Sequence, residues 1–125
     1  MKHKRFLLLP ALSLLLSVIP ACKRDAGPPA PLTVDQIGPE FKKGFADASQ
    51  PTRDVSAEVV SALQASNYVA AFGAAQALCA RPNLTKEQQT LASRALFTVN
   101  QLLQAAQASG DKGAAAVIQM HKSSR

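Results

Sequence analysis

Residues 84–110 read LTKEQQTLASRALFTVNQLLQAAQASG and form the longest continuous helical pattern in the chain. Apolar side chains recur there at intervals of three and four residues, the spacing of one face of an α-helix: Leu91, Ala95, Val99, Leu102 and Ala106. Thr85, followed by Gln88 three residues later, predicts a capping box at the start of this helix. Gly110 predicts its end, because glycine adopts the left-handed conformation that closes many helices.

The same spacing continues on both sides of this segment, and no strand-like alternation of useful length occurs from Thr33 onward. Residues suited to helix starts or turns recur along this range: Pro39, Thr52, Asn67 and Asp111. The connections between the helical segments are short, which favours antiparallel neighbours. We therefore predict an all-α domain of four to five short antiparallel helices over residues 33–121, with a frayed tail at residues 122–125.

The first 22 residues have the layout of an export signal. A positively charged stretch, Met1 to Arg5, precedes the charge-free apolar run Phe6–Pro20, and the small residue Ala21 follows. The apolar run has 15 residues, whereas a transmembrane helix needs about 20. The sequence therefore favours a signal peptide at residues 1–21 that is removed after export over a permanent membrane span.

Ile19-Pro20-Ala21-Cys22 resembles the bacterial lipobox, in which an aliphatic, a variable and a small residue precede an invariant cysteine. The chain is thus similar to small bacterial lipoproteins, a resemblance that carries no activity with it. It implies cleavage between Ala21 and Cys22, a lipid anchor on the Cys22 sulfur, and membrane attachment through that residue. In such lipoproteins aspartate after the cysteine favours retention in the inner membrane. Lys23 stands at this position, so the resemblance implies that the protein is located at the outer membrane, facing the periplasm. An ordinary signal cut after Ala21, with Cys22 unmodified, is the alternative.

Residues 22–32 are rich in proline, with Pro28, Pro29 and Pro31 close together. Proline removes backbone donors and favours an extended polyproline geometry. Such a segment spans about 3 Å per residue, which gives a reach of about 30 Å. We predict that these residues form the lipidated cysteine and a disordered tether that holds the helical domain away from the bilayer.

The chain of 125 residues has a formal net charge of +6, but Lys2, Lys4 and Arg5 belong to the predicted signal. The other basic residues are scattered between Lys23 and Arg125, and the chain has one Tyr and no Trp. A nucleic-acid-binding protein clusters its basic residues on one face and often adds stacking aromatic side chains. The composition therefore predicts that nucleic acid is not a partner.

The stretch from Leu63 to Pro82 resembles the tetratricopeptide repeat over about one helical hairpin. Tyr68, Ala71 and Ala75 match its tyrosine and two small-residue positions, and a proline follows the helix. The resemblance implies an αα-hairpin in which small alanines let two helices approach closely. No second period of 34 residues is present, so a repeat array is not implied.

Besides Cys22, the predicted mature chain contains one cysteine, Cys79, and one histidine, His121. Cys79 lies on the apolar side of its segment and is interpreted as a buried structural thiol; pairing with Cys22 would require an unlipidated Cys22. His121 alone does not make a metal site, because zinc needs three or four ligands. The sequence holds no glycine-rich phosphate loop and no nucleophile-elbow pattern. We predict no cofactor, no metal and no enzyme activity.

Successive residues of a helix are rotated by about 100°, which places Phe97 on the side of its helix away from the apolar stripe. The favoured interpretation is that the first helix, with Phe41 and Phe45, packs against this second side. The alternative is that Phe97 is an exposed partner contact, and Tyr68, near a turn, is a second candidate.

The chain combines a predicted lipid anchor, a tether and a helical domain without an evident catalytic site. This combination favours a helical interaction or structural module of the cell envelope, with an unidentified protein or envelope component as its partner. The alternatives are a small-ligand carrier with a pocket between alanine-rich helices and, with less support, an envelope hydrolase. The sequence does not indicate an oligomeric state.

Overall fold

The computed structural model describes residues 30–125, which fold into five α-helices. They are α1 (Val34–Gly44), α2 (Gln50–Gln64), α3 (Tyr68–Cys79), α4 (Lys86–Ala108) and α5 (Lys112–Ser123). No strand occurs in this part of the chain, and short connections join antiparallel neighbours, so the all-α prediction is confirmed. The predicted signal peptide, Cys22 and most of the predicted tether lie outside the described residues.

The caps of α4 and α5 are those that the sequence predicts. The Gln88 amide donates to the Thr85 hydroxyl at 3.1 Å, and the Gln88 side chain accepts from the Thr85 amide at 3.0 Å, which completes the capping box. Gly110 follows α4 with a φ of +93°, in the left-handed region that glycine adopts without strain. Asp111 caps α5 by accepting from the Ala114 amide at 3.0 Å.

The first two helices begin earlier than predicted. The Thr33 amide donates to the Gln36 side chain at 3.0 Å, which fixes the start of α1 ahead of Pro39 and places that proline inside the helix. Ser49, rather than Thr52, is the N-cap of α2, because proline at position 51 fits the first turn, where its missing N–H is not needed. Thr52 is instead buried and accepts from the Ser49 hydroxyl at 3.0 Å.

The turn between α2 and α3 also differs from the prediction in one residue. Ser66 adopts the left-handed conformation with a φ of +53°, whereas Asn67 does not. The Asn67 side chain is used differently, because its oxygen accepts from the Ala70 amide at 3.1 Å and caps α3.

The core forms around α3, which packs between α2 and α4, while α5 covers α4 and the edge of α3. The helix α1 lies across α2 and α4. The rings of Phe41, in α1, and of Phe45, the C-cap of α1, are buried edge to face, with centroids 5.1 Å apart. Gly44 allows the close crossing of α1 over α4, because a Cβ at this position would overlap the Leu91 side chain. Within residues 30–125, no helix is both long and apolar enough to cross a membrane.

The buried stripe of α4 is rotated by about 45° from the predicted stripe, at about 100° per residue. Its fully buried members are the following residues: Ala92, Ala95, Val99 and Leu103. Ala95 and Val99 belong to both stripes, whereas Leu91 and Leu102, also predicted in the stripe, are half-buried at its edge. The reason is that α4 is covered from more than one side, by α3, α1 and α5, so the centre of its buried face is set by where these helices meet.

Candidate interaction surfaces

The end of the predicted tether is attached to α4. Leu32 is buried in the core, whereas the sequence predicts that it belongs to the tether. The Thr98 hydroxyl donates to the Leu32 carbonyl, and the Arg94 Nε donates to the Ala30 carbonyl at 2.7 Å. These contacts fix the direction from which the N-terminal segment reaches the helical body. Ala21 and Cys22, the predicted cleavage and lipidation residues, lie outside the described residues.

A Thr98→Val variant is expected to loosen this attachment. Valine keeps the shape of the side chain but removes the donor to the Leu32 carbonyl, which costs about 1–2 kcal/mol. Urea unfolding measures the loss, and amide exchange over residues 30–34 is expected to become faster. Thr90→Val, at an exposed position of the same helix, is the matched control. Equal effects of the two substitutions would contradict the assignment.

Phe97 does not pack against α1, so the favoured interpretation of this residue is wrong. Its side chain is 49% exposed. Near its C-terminal end, α1 crosses α4 beside Leu91, and the segment before α1 contacts Thr98. Because successive residues are rotated by about 100° around a helix, Leu91 and Thr98 lie on the same side of α4 and Phe97 points away from that side. The aromatic side chain is therefore left in solvent among polar neighbours, as an isolated rather than a clustered apolar contact.

Tyr68 is half-buried at the start of α3, where it packs on the edge of the core. It lines a shallow depression with Leu102 and Ala106 of α4. These two residues lie on the opposite side of α4 from Phe97, at about 100° per residue. The structure therefore does not bring the two predicted contact residues together in one surface.

A larger exposed apolar surface is formed by α3 and α5. The helix α3 contains no charged residue, and Gln76 is its only polar residue besides Tyr68. One side of α3 nevertheless faces solvent. We define the outer apolar face by these exposed residues: Val69, Gly73 and Ala77 of α3, its C-cap Ala80, and Met120 of α5.

The two helices join within this face. A Cβ on Gly113 of α5 would lie 3.8 Å from a methyl carbon of Val69, and Met120 follows Gly113 by two helical turns on the same side of α5. Val69 is 37% exposed and Met120 is 66% exposed. A Cβ at Gly73 would meet no atom within 4 Å. The outer apolar face is thus open and has a shallow centre where the side chains are small.

Cys79 and His121 are used within the fold. Burial raises the pKa of the Cys79 thiol above its ordinary value, and a hydrogen bond with Ser93 offsets part of this effect. The thiol is therefore protonated at neutral pH and is a weak nucleophile. The His121 ring packs edge to face on Phe72, with centroids 5.6 Å apart, and lies 3.5 Å from the Gln76 amide nitrogen.

A groove runs between α1 and α2, with a cavity volume of about 690 Å³. Its floor is formed by the edges of Phe41 and Phe45, and the side chain of Val60 forms part of its wall. Gly38 lies opposite Val60, where a Cβ would be 3.7 Å from a valine methyl carbon. The lack of a side chain on Gly38 leaves the seam between the helices incompletely filled.

In the part of the chain that the structure describes, no group of three or more His, Cys, Asp or Glu residues is arranged to hold a metal ion. No protein-family model, curated protein or solved structure matches the chain.

Proposed function

We propose that this protein is an exported, lipid-anchored interaction module of the cell envelope that presents the outer apolar face to a helix of a partner protein. The observation that carries the proposal is that α3 has no charged residue on any side and yet one of its sides is exposed. A helix that is apolar around its whole circumference is normally covered on all sides. A partner that supplies the missing cover would complete this arrangement.

The shape of the outer apolar face favours a helix as the covering element. Gly73 and Ala77 are four residues apart, so they lie one above the other on α3. Small residues at this spacing let the backbone of a second helix approach closely. Val69 and Met120 at the edge of the face would then bury apolar surface, worth about 25 cal/mol per Å² removed from water.

A charge at the edge of the same surface indicates what flanks the partner's apolar residues. Lys112 is exposed at the start of α5, next to Gly113. Lys122, at the other end of α5, lies about 200° around the helix from Met120 and so faces away from this surface. An apolar helix with an acidic residue at one end is therefore the best electrostatic match, because complementary charges at the rim steer encounter and fix orientation.

The proposed location is supported by the sequence before the helical body. The positive start, the apolar run and Ile19-Pro20-Ala21-Cys22 favour export and lipid attachment, and Lys23 favours the outer membrane. A tether with a reach of about 30 Å would keep the body near the membrane surface, where the local concentration of an envelope partner is raised without any new contact.

The proposal is tested by placing a photo-crosslinking amino acid in the full chain, in cells that produce it. With the crosslinker at Ala77, we expect a discrete product with one envelope protein. A second Gly73→Glu substitution is expected to reduce that product at least about tenfold, because it places a charge against an apolar surface. Folding is expected to be retained, because Gly73 is exposed with open space before it and glycine is a poor helix former.

The crosslinker at Ala108, an exposed alanine at the end of α4, is the matched control, together with Ala108→Glu. The crosslinker at Ala108 is expected to give no such product, and Ala108→Glu is expected to leave the product from Ala77 unchanged. The same product from Ala77 and Ala108, or a product that contains a second copy of this chain alone, would contradict the proposed partner.

A further inference from the structure

The groove between α1 and α2 carries charge at one end. The two helices run in opposite directions, so Gly38 lies opposite Val60 at one end, and Ala46 lies near Arg53 at the other. The Arg53 guanidinium donates to the Ala46 carbonyl at 3.2 Å, which fixes it at the second end. Lys42 also lines the groove, midway between Gly38 and Ala46 in the chain. The two cations therefore border the half of the groove on the Ala46 side, which we call its charged end.

No acidic residue lines the groove. The Arg53 guanidinium donates to one carbonyl and to the Gln50 side chain at 2.6 Å, which leaves some of its five N–H donors for a ligand. Planar guanidinium groups bind carboxylates through paired hydrogen bonds, and the exposed ammonium of Lys42 adds a second positive charge. The charged end is therefore complementary to a carboxylate.

We propose that this groove binds a medium-chain fatty acid in its anionic form. The carboxylate lies between Lys42 and Arg53, and the hydrocarbon chain lies over the phenylalanine edges toward Val60 and Gly38. A fatty acid matches both properties of the groove, because its hydrocarbon chain fits the apolar lining and its carboxylate pairs with the two cations. This binding is separate from the proposed contact through the outer apolar face, which uses α3 and α5.

The helix α1 itself is about 16 Å long, from its 11 residues at about 1.5 Å each. A second depression, lined by Val34, Leu63 and Asp35 among others, continues the seam past Gly38 and Val60 to the start of α1. From Lys42 to Val34 the path extends over about 12 Å, which accommodates a hydrocarbon chain of medium length, whereas a short carboxylic acid would use only the charged end. We expect chain length to increase binding for this reason.

The test uses the full chain in nanodiscs of zwitterionic lipid, with dodecanoate that carries a photoreactive diazirine near its methyl end. We expect labelling near Gly38 and Val60, located by mass spectrometry of peptides. Lys42→Gln is expected to reduce labelling about threefold to tenfold, the effect of losing one partly solvated charge contact. Lys43→Gln is the matched control, because Lys43 is the adjacent exposed lysine and does not line the groove.

A second variant blocks the groove without changing its charge. Ala57 is exposed and lines the groove, so Ala57→Phe is expected to reduce labelling at Val60 at least about tenfold by occupying the apolar path. Ala108→Phe, outside the groove, is expected to leave labelling unchanged, as is Gly73→Glu on the outer apolar face. The methyl ester of the same probe is expected to label less than the acid.

The proposal is overturned if labelling is equal for the acid and its ester, or if neither Lys42→Gln nor Ala57→Phe reduces it. It is also overturned if crosslinks show that residues 6–20 of the same chain occupy the groove. Because Gly73→Glu and Ala57→Phe act on different surfaces, failure of fatty-acid binding is distinguishable from failure of the proposed partner contact.

Discussion

A Cys22→Ser variant is expected to lose all lipid modification of the mature chain. The proposed anchor is a thioether on the Cys22 sulfur, and serine has no sulfur to carry it. Two or more acyl chains hold a protein stably at a membrane, whereas a chain without them has no such anchor. Intact-mass measurement of the protein from the membrane fraction is expected to show residues 22–125 with added acyl groups for the natural chain, and no acylated species for the variant.

The second cysteine supplies the control for this experiment. Cys79→Ser keeps the residues around the proposed cleavage point, so its mature chain is expected to carry the same acyl mass as the natural chain. A mature chain that begins at Cys22 with a free thiol would contradict lipidation and support an ordinary signal cut after Ala21. It would also leave Cys22 available to pair with Cys79, which mass measurement under non-reducing conditions detects.

A Phe41→Ala variant is expected to lose about 3–5 kcal/mol of unfolding free energy. Phe41 is 2% exposed, and its ring contacts Phe45 edge to face beneath α1. The substitution removes most of this buried ring and leaves a cavity that the surrounding helices fill only in part. Because small domains have a total stability of about 5–15 kcal/mol, urea unfolding is expected to show a midpoint far below that of the natural chain.

Phe97→Ala is the matched control, because it removes the same ring from an exposed position. Its expected effect is within about 0.5 kcal/mol, as for most surface substitutions. Similar losses for the two variants would contradict the packing of α1 described above. Loss of fatty-acid labelling in Phe41→Ala is also expected, since that side chain forms part of the groove floor.

The position of the tether bears on both proposals. Ala30 and Leu32 contact α4, whereas the groove is formed by α1 and α2 and the outer apolar face by α3 and α5. Attachment through this end of the chain therefore uses neither surface. A fatty acid and a protein partner would be bound at separate places on one small body.

Much of the secondary structure was predictable because its determinants are local. The Thr85–Gln88 capping box, the left-handed Gly110 and the Asp111 cap each depend on residues within about one turn. The errors at α2 and Asn67 are also local. Ser49 rather than Thr52 caps α2, and Ser66 rather than Asn67 adopts the left-handed conformation. The absence of charge from Asn67 to Ala80 was also visible in the sequence and is the signal that could have indicated the outer apolar face.

By itself the sequence determined that the chain is helical, where most of its helices end, and which residues suit an export signal and a lipid anchor. The tertiary structure alone decided that Leu32 is buried, that Phe97 and Val69 are exposed, and that Lys42 and Arg53 border one groove. The physical reason is that an amphipathic pattern sets which side of a helix is apolar. How much of that side is covered depends on where other helices cross it, and those crossings join residues that are distant in the chain.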